Sequence, residues 1–177
     1  MSDSLSVIYD QPDITSAADR ETIEHGIEIV SWRLSQYTGL SVVETFNAVF
    51  GEQHFRYNNG GEFYESSTGD ALIFRRGRVY LQLVIHALGH TFDRRAGLRP
   101  QIQLAAGRFN LRHGLLFAGM HPPSMEGGND PNERWANTWE NWIIQTFAPN
   151  IFGVALDKFM AEKMAEWVAE AMGKVAA

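Results

Sequence analysis

From Val79 to Leu88 the chain is largely apolar, and the same segment runs on through Gly89-His90-Thr91-Phe92-Asp93. That composition, preceded by a short apolar stretch at Ala71 to Phe74 and the turn-like RRG, predicts a strand passing into a largely buried helix that ends near Gly97. His86 and His90 are four residues apart, so on a helix both imidazoles leave the same face, one turn apart. Chance produces such pairs too, but an unpartnered imidazole in an apolar run carries a desolvation cost. Ligation of a metal ion offsets that cost, and two histidines at this spacing have the geometry to share a tetrahedral Zn²⁺.

Composition narrows what such a helix can serve. With no cysteine among 177 residues, disulfide scaffolds, thiolate zinc sites, iron–sulfur clusters and cysteine nucleophiles are excluded, and a metal must be held by His and carboxylates. Fifteen Lys+Arg against 21 Asp+Glu give no general reason to expect nucleic acid or an anionic membrane as main partner. The length suits a single domain spanning residues 1–177, with no repeat or linker to divide it. The acidic start MSDSLSVIYDQPD lacks the basic and apolar regions of a signal peptide, and charges interrupt every hydrophobic segment before bilayer-spanning length. The expectation is a soluble protein, cytoplasmic or otherwise, with no membrane partner; the oligomeric state is left open.

The remaining pattern is α+β. Leu5 to Tyr9 reads as a short strand, and Ser16 with Asp19 as a capping pair opening a helix whose stripe is Ile23, Ile27, Val30, Leu34 and Tyr37, stopped by Gly39. Val42 to Phe50 fits either a strand or a short helix. Tyr57 to Gly69 reads as loop or hairpin turn, and Arg99 to Pro131 as mostly irregular, with a short hydrophobic element near Leu115 to Phe117. An irregular stretch of that length is uncommon inside a compact domain and often functional. Asp130, Pro131 and Glu133 then have the N-cap, first-turn proline and third-position glutamate of a helix start. Trp135, Trp139 and Trp142 share one face of that helix and read as core; Glu133, Ala136, Asn137 and Glu140 share the opposite one, and Pro149 is the expected stop. Leu156, Phe159, Met160, Met164, Trp167, Val168, Ala171 and Val175 form the stripe of a C-terminal amphipathic helix. His25 and His54 read as surface or capping residues.

The segment His86-Ala87-Leu88-Gly89-His90-Thr91-Phe92-Asp93 resembles the active-site helix of the zincin metalloproteases, whose H-E-x-x-H signature commonly reads HELGH followed by a small residue, an aromatic and Asp. Downstream, Asn132-Glu133-Arg134-Trp135-Ala136-Asn137 is similar to the N-E-x-x-A-D pattern of the gluzincin branch. The resemblance runs from Ala71 to Trp142. It implies a zincin-like fold with a small, mostly N-terminal sheet, an active-site helix, a glutamate helix and a C-terminal amphipathic helix. It also implies zinc held by His86, His90 and Glu133, with an open position for water or a substrate carbonyl, and a peptide or protein substrate. Asn137 stands where the family commonly has an aspartate bonded to the remote nitrogen of a ligand histidine; Asp93 is a second candidate for that role. Glu133 has another reading, as the capping-box partner of Asp130.

One position departs from the family. Ala87 replaces the glutamate that acts as general base, and a methyl group neither accepts a proton nor orients a water. Two readings follow: a natural pseudo-peptidase that keeps a metal site and acts as a peptide- or protein-binding module, or a peptidase whose base has been substituted. The intact ligands and Gly89 favour the second; under either, the chain as written is nearly inactive. His113, His121, Tyr64 and Arg112 are the candidates for stabilising a tetrahedral oxyanion. A purely structural helical domain, with the motif a chance match, is the third reading.

Overall fold

The computed structural model describes residues 4–58, 65–68, 70–106 and 130–175. In chain order these form β1 (Val7–Tyr9), α1 (Ala17–Thr38), α2 (Val42–Phe50), β2 (Gln53–Asn58), β3 (Glu65–Thr68), β4 (Ala71–Arg75), α3 (Leu81–Arg95), α4 (Arg99–Ala106), α5 (Pro131–Ile143) and α6 (Ile151–Val175). The architecture is α+β, with the whole sheet in the N-terminal half of the chain. The sheet order is β1-β2-β4-β3. Strands β1, β2 and β4 run parallel, and β3 closes one edge antiparallel to β4. No helix among the described residues is long and apolar enough to cross a membrane.

Local signals explain most element boundaries. Ser16 accepts a hydrogen bond from the Asp19 amide at the start of α1, and Gly39 at φ 69° ends it in the left-handed conformation that glycine adopts without strain. Val42 to Phe50 resolves as helix because Ser41 and Glu44 form a complete capping box, each side chain bonding the other's backbone amide. At the other end of the chain, the Asp130 carboxylate accepts from the Asn132 amide with Pro131 in the first turn. Helix α5 stops at Ile143, six residues short of the Pro149 expected to end it.

Two segments expected to be irregular are ordered. Glu65–Thr68 is a strand rather than turn, held by antiparallel register with β4 from Glu65↔Phe74 to Thr68↔Ala71. Arg99–Ala106 is a helix, opened by a carboxylate from the preceding helix: Asp93 Oδ1 accepts from the Gln101 amide at 2.9 Å. The expected element at Leu115 to Phe117 lies outside the described residues.

The core lies around α3. Ten consecutive residues, Val84 to Asp93, are buried, so this helix is enclosed on every side. The α1 stripe Ile23, Ile27, Val30 and Leu34 is fully buried. So are Leu156, Met160, Met164 and Trp167 of α6, and Trp167 meets Trp135 edge-on. The most specific packing joins α3 to α5. Trp135 Nε1 donates to the Gly89 carbonyl at 2.8 Å and Trp139 Nε1 to the Ile85 carbonyl at 3.0 Å. Each carbonyl has a second lone pair free for this beyond its helical bond. Donors four residues apart on one helix meet acceptors four apart on the other in reverse order, which fixes the two as antiparallel in one register. Gly89 permits the approach: a Cβ there would lie 2.7 Å from Trp139 Cδ1.

Candidate metal centre

The register set by the tryptophans brings the first turn of α5 over the histidine face of α3. Glu133 Oε2 lies 3.2 Å from His86 Nε2, and Glu133 Oε1 lies 3.3 Å from His90 Nε2. The imidazole rings stand 4.9 Å apart at 77° to each other. One ligand atom from each of the three residues falls within 4.8 Å of the others. Two atoms each 2.0–2.1 Å from a tetrahedral centre are about 3.3 Å apart. Each histidine nitrogen lies at about that separation from one oxygen of the Glu133 carboxylate, a different oxygen for each.

The other two ring nitrogens are also occupied. His90 Nδ1 lies 3.0 Å from Asn132 Oδ1, and His86 Nδ1 lies 3.5 Å from Glu140 Oε2. Each imidazole thus has an acceptor oxygen near both of its nitrogens, while a neutral ring carries one proton for the two. Whichever nitrogen lacks the proton turns a lone pair toward an oxygen, a repulsion that a second proton or a bound cation would remove. Hydrogen bonds from His86 and His90 hold the Glu133 carboxyl well below the usual carboxylate range, against the opposing effect of its partial burial. Both histidines are buried, while Glu133 is half-buried. The donor set of two imidazoles and one carboxylate, without sulfur, suits Zn²⁺ and similar transition metals better than Ca²⁺ or Mg²⁺.

Other sequence expectations fare differently. Asp93 is not directed to a ligand histidine: its two oxygens accept from the Gln101 amide and, at 2.8 Å, from Gln101 Nε2. Burial pushes its carboxyl up to about 6, with those two bonds acting in the opposite direction. Asn137 is buried, but its Oδ1 has no hydrogen-bond partner, so the bond expected from a ligand histidine is absent. Asn132 and Glu140 meet the Nδ1 atoms instead. Asn132 gave no separate signal in the sequence; Glu140 was visible only as a member of Glu133's helix face. Ala87 is fully buried within the continuous apolar cluster. His113, His121, Tyr64 and Arg112 lie outside the described residues. His25 is exposed beside Glu28, and His54 bonds Asp10 at 2.6 Å on the sheet; both are far in sequence from the centre and take no part in it.

Comparison with protein-family models, curated proteins and solved structures gives no match. The functional reading of the centre therefore rests on its own chemistry.

Proposed function

We propose that the chain is a zincin-type metallopeptidase unit of the gluzincin kind, binding one zinc through His86, His90 and Glu133 and lacking its general base at Ala87. The observation that carries this is the convergence of two Nε2 atoms on the two oxygens of one carboxylate, at 3.2 and 3.3 Å, with both Nδ1 atoms turned to acceptors. Zinc bound there supplies a Lewis acid and a water of lowered pKa. The chain's own residues hold and orient that ion, and a carboxylate at position 87 would take the proton in peptide hydrolysis. A methyl group cannot, so the chain as written hydrolyses peptides at a small fraction of the rate of an Ala87→Glu form. The test is peptide cleavage by the zinc-loaded Ala87→Glu protein, with metal content measured in both forms. Zinc in neither form, or zinc in both with no cleavage by Ala87→Glu, contradicts the peptidase reading.

The second reading is a metal-holding, non-catalytic module that binds a peptide or partner protein. What favours it is that Ala87 is part of the apolar core, so a glutamate there must be accommodated by movement of its neighbours. Under this reading Ala87→Glu gains no activity and loses stability.

A further inference from the structure

The gluzincin pattern puts its histidine-orienting carboxylate four residues after the ligand glutamate, a position held here by Asn137. Three residues further on is Glu140, and its Oε2 lies 3.5 Å from His86 Nδ1. Resting on the metal reading above, we propose that Glu140 is the positioning residue of the centre: its carboxylate orients His86 and raises the affinity of the site for zinc.

Three observations support the assignment. The first is placement. Glu140 is in the same helix as Glu133, and His86 lies between them, its Nε2 toward Glu133 and its Nδ1 toward Glu140. The two contacts hold the ring from both ends. The second is burial. Glu140 is 8% exposed, and a buried carboxylate is costly without a positive counterpart. An imidazolium, or an imidazole ligating a dication, provides one. The third is charge. A dication bound by two neutral imidazoles and Glu133 keeps one net positive charge, which a carboxylate beside His86 neutralises. His90 Nδ1 has a different partner, the neutral amide of Asn132, so the two ligands are unequal, and the Glu140 contact is made to His86. Residues in this role tune metal affinity by about 10–100-fold in other metal sites.

The experiment is zinc affinity, measured by competition with a chromogenic chelator, for the unmodified chain, Glu140→Gln, Glu140→Asp and Asn137→Ala. Glu140→Gln keeps the shape and an acceptor oxygen but removes the charge, and is expected to weaken zinc binding about 10–100-fold. Glu140→Asp keeps the charge and is expected to lie closer to the unmodified chain; Asn137→Ala is expected to change affinity less than threefold. Thermal unfolding of the metal-free variants separates a folding effect from a metal effect. If Glu140→Gln fails to fold, Glu140→Asp against Glu140→Asn gives the same charge comparison on a shorter side chain. Unchanged affinity in Glu140→Gln, or a larger loss in Asn137→Ala, overturns the assignment while leaving the metal reading in place. No zinc binding by the unmodified chain overturns the metal reading itself, and the assignment with it.

Discussion

Substituting Gly89 by alanine tests how the α3–α5 contact builds the centre. In an exposed helix interior the change would stabilise by about 1 kcal/mol, since glycine is the weaker helix former by that amount. Here the added Cβ would lie 2.7 Å from Trp139 Cδ1, 3.0 Å from its Cγ and 3.3 Å from its Cβ. The ring has no free side to retreat to: Trp139 is fully buried, stacks on Phe92 at 4.6 Å and donates to the Ile85 carbonyl. Overpacking a close-packed core costs about 1–3 kcal/mol, and losing the indole bond adds about 1 kcal/mol. Setting the propensity gain against these leaves a net loss of about 2 kcal/mol. For a chain of this length that is a fall of roughly 4–8 °C in Tm. Urea unfolding of the metal-free protein measures it directly, as a lower midpoint with an unchanged slope. Zinc affinity should fall as well, because the displaced helix carries Glu133 away from the histidines. A gain of about 1 kcal/mol, the value for an unpacked helix glycine, would show that Gly89 is not held by close contact with Trp139.

Two further outcomes follow from single residues. Ala87→Glu in the zinc-loaded protein is expected to raise peptide hydrolysis by about 10²–10⁴-fold, the usual contribution of a general base, read as release of product from a quenched peptide mixture. The hydrogen bond to Asp10 raises the His54 pKa above its ordinary value. The stability it lends is therefore complete below the unfolded value of about 6.5 and is lost as pH rises through the folded one. Asp10→Asn should bring the NMR titration midpoint of His54 back down, and a midpoint that stays in place contradicts the pairing.

Much of the site was legible because its parts are local. His86 and His90 share a helix face by spacing alone, and Glu133 follows a start signal of Asp130 and Pro131 that the structure keeps. The capping box of Ser41 and Glu44 was equally local, and reading it would have resolved the helix at Val42–Phe50. What escaped depends on distant partners. Strand β3 is polar and short, and only its pairing with β4 makes it a strand. Helix α4 begins where a side chain from α3 caps it, which no window around Arg99 contains. The same holds for Glu140. Its face on α5 was predictable, but its meeting with His86 Nδ1 depends on the register that Trp135 and Trp139 impose on α3. Those tryptophans are core, as their spacing predicts, and the helix they pack on is the one that carries the histidines.

The most direct test of the central claim is the zinc content of the purified chain beside that of His86→Ala, His90→Ala and Glu133→Gln, with thermal unfolding of each at increasing zinc. One zinc per unmodified chain is expected, with an added stability of about 2.7 kcal/mol at a free zinc concentration one hundred times Kd. All three variants should lose both the metal and the stabilisation. Zinc retained by any of the three, or an unmodified chain whose unfolding does not respond to zinc, would contradict that claim.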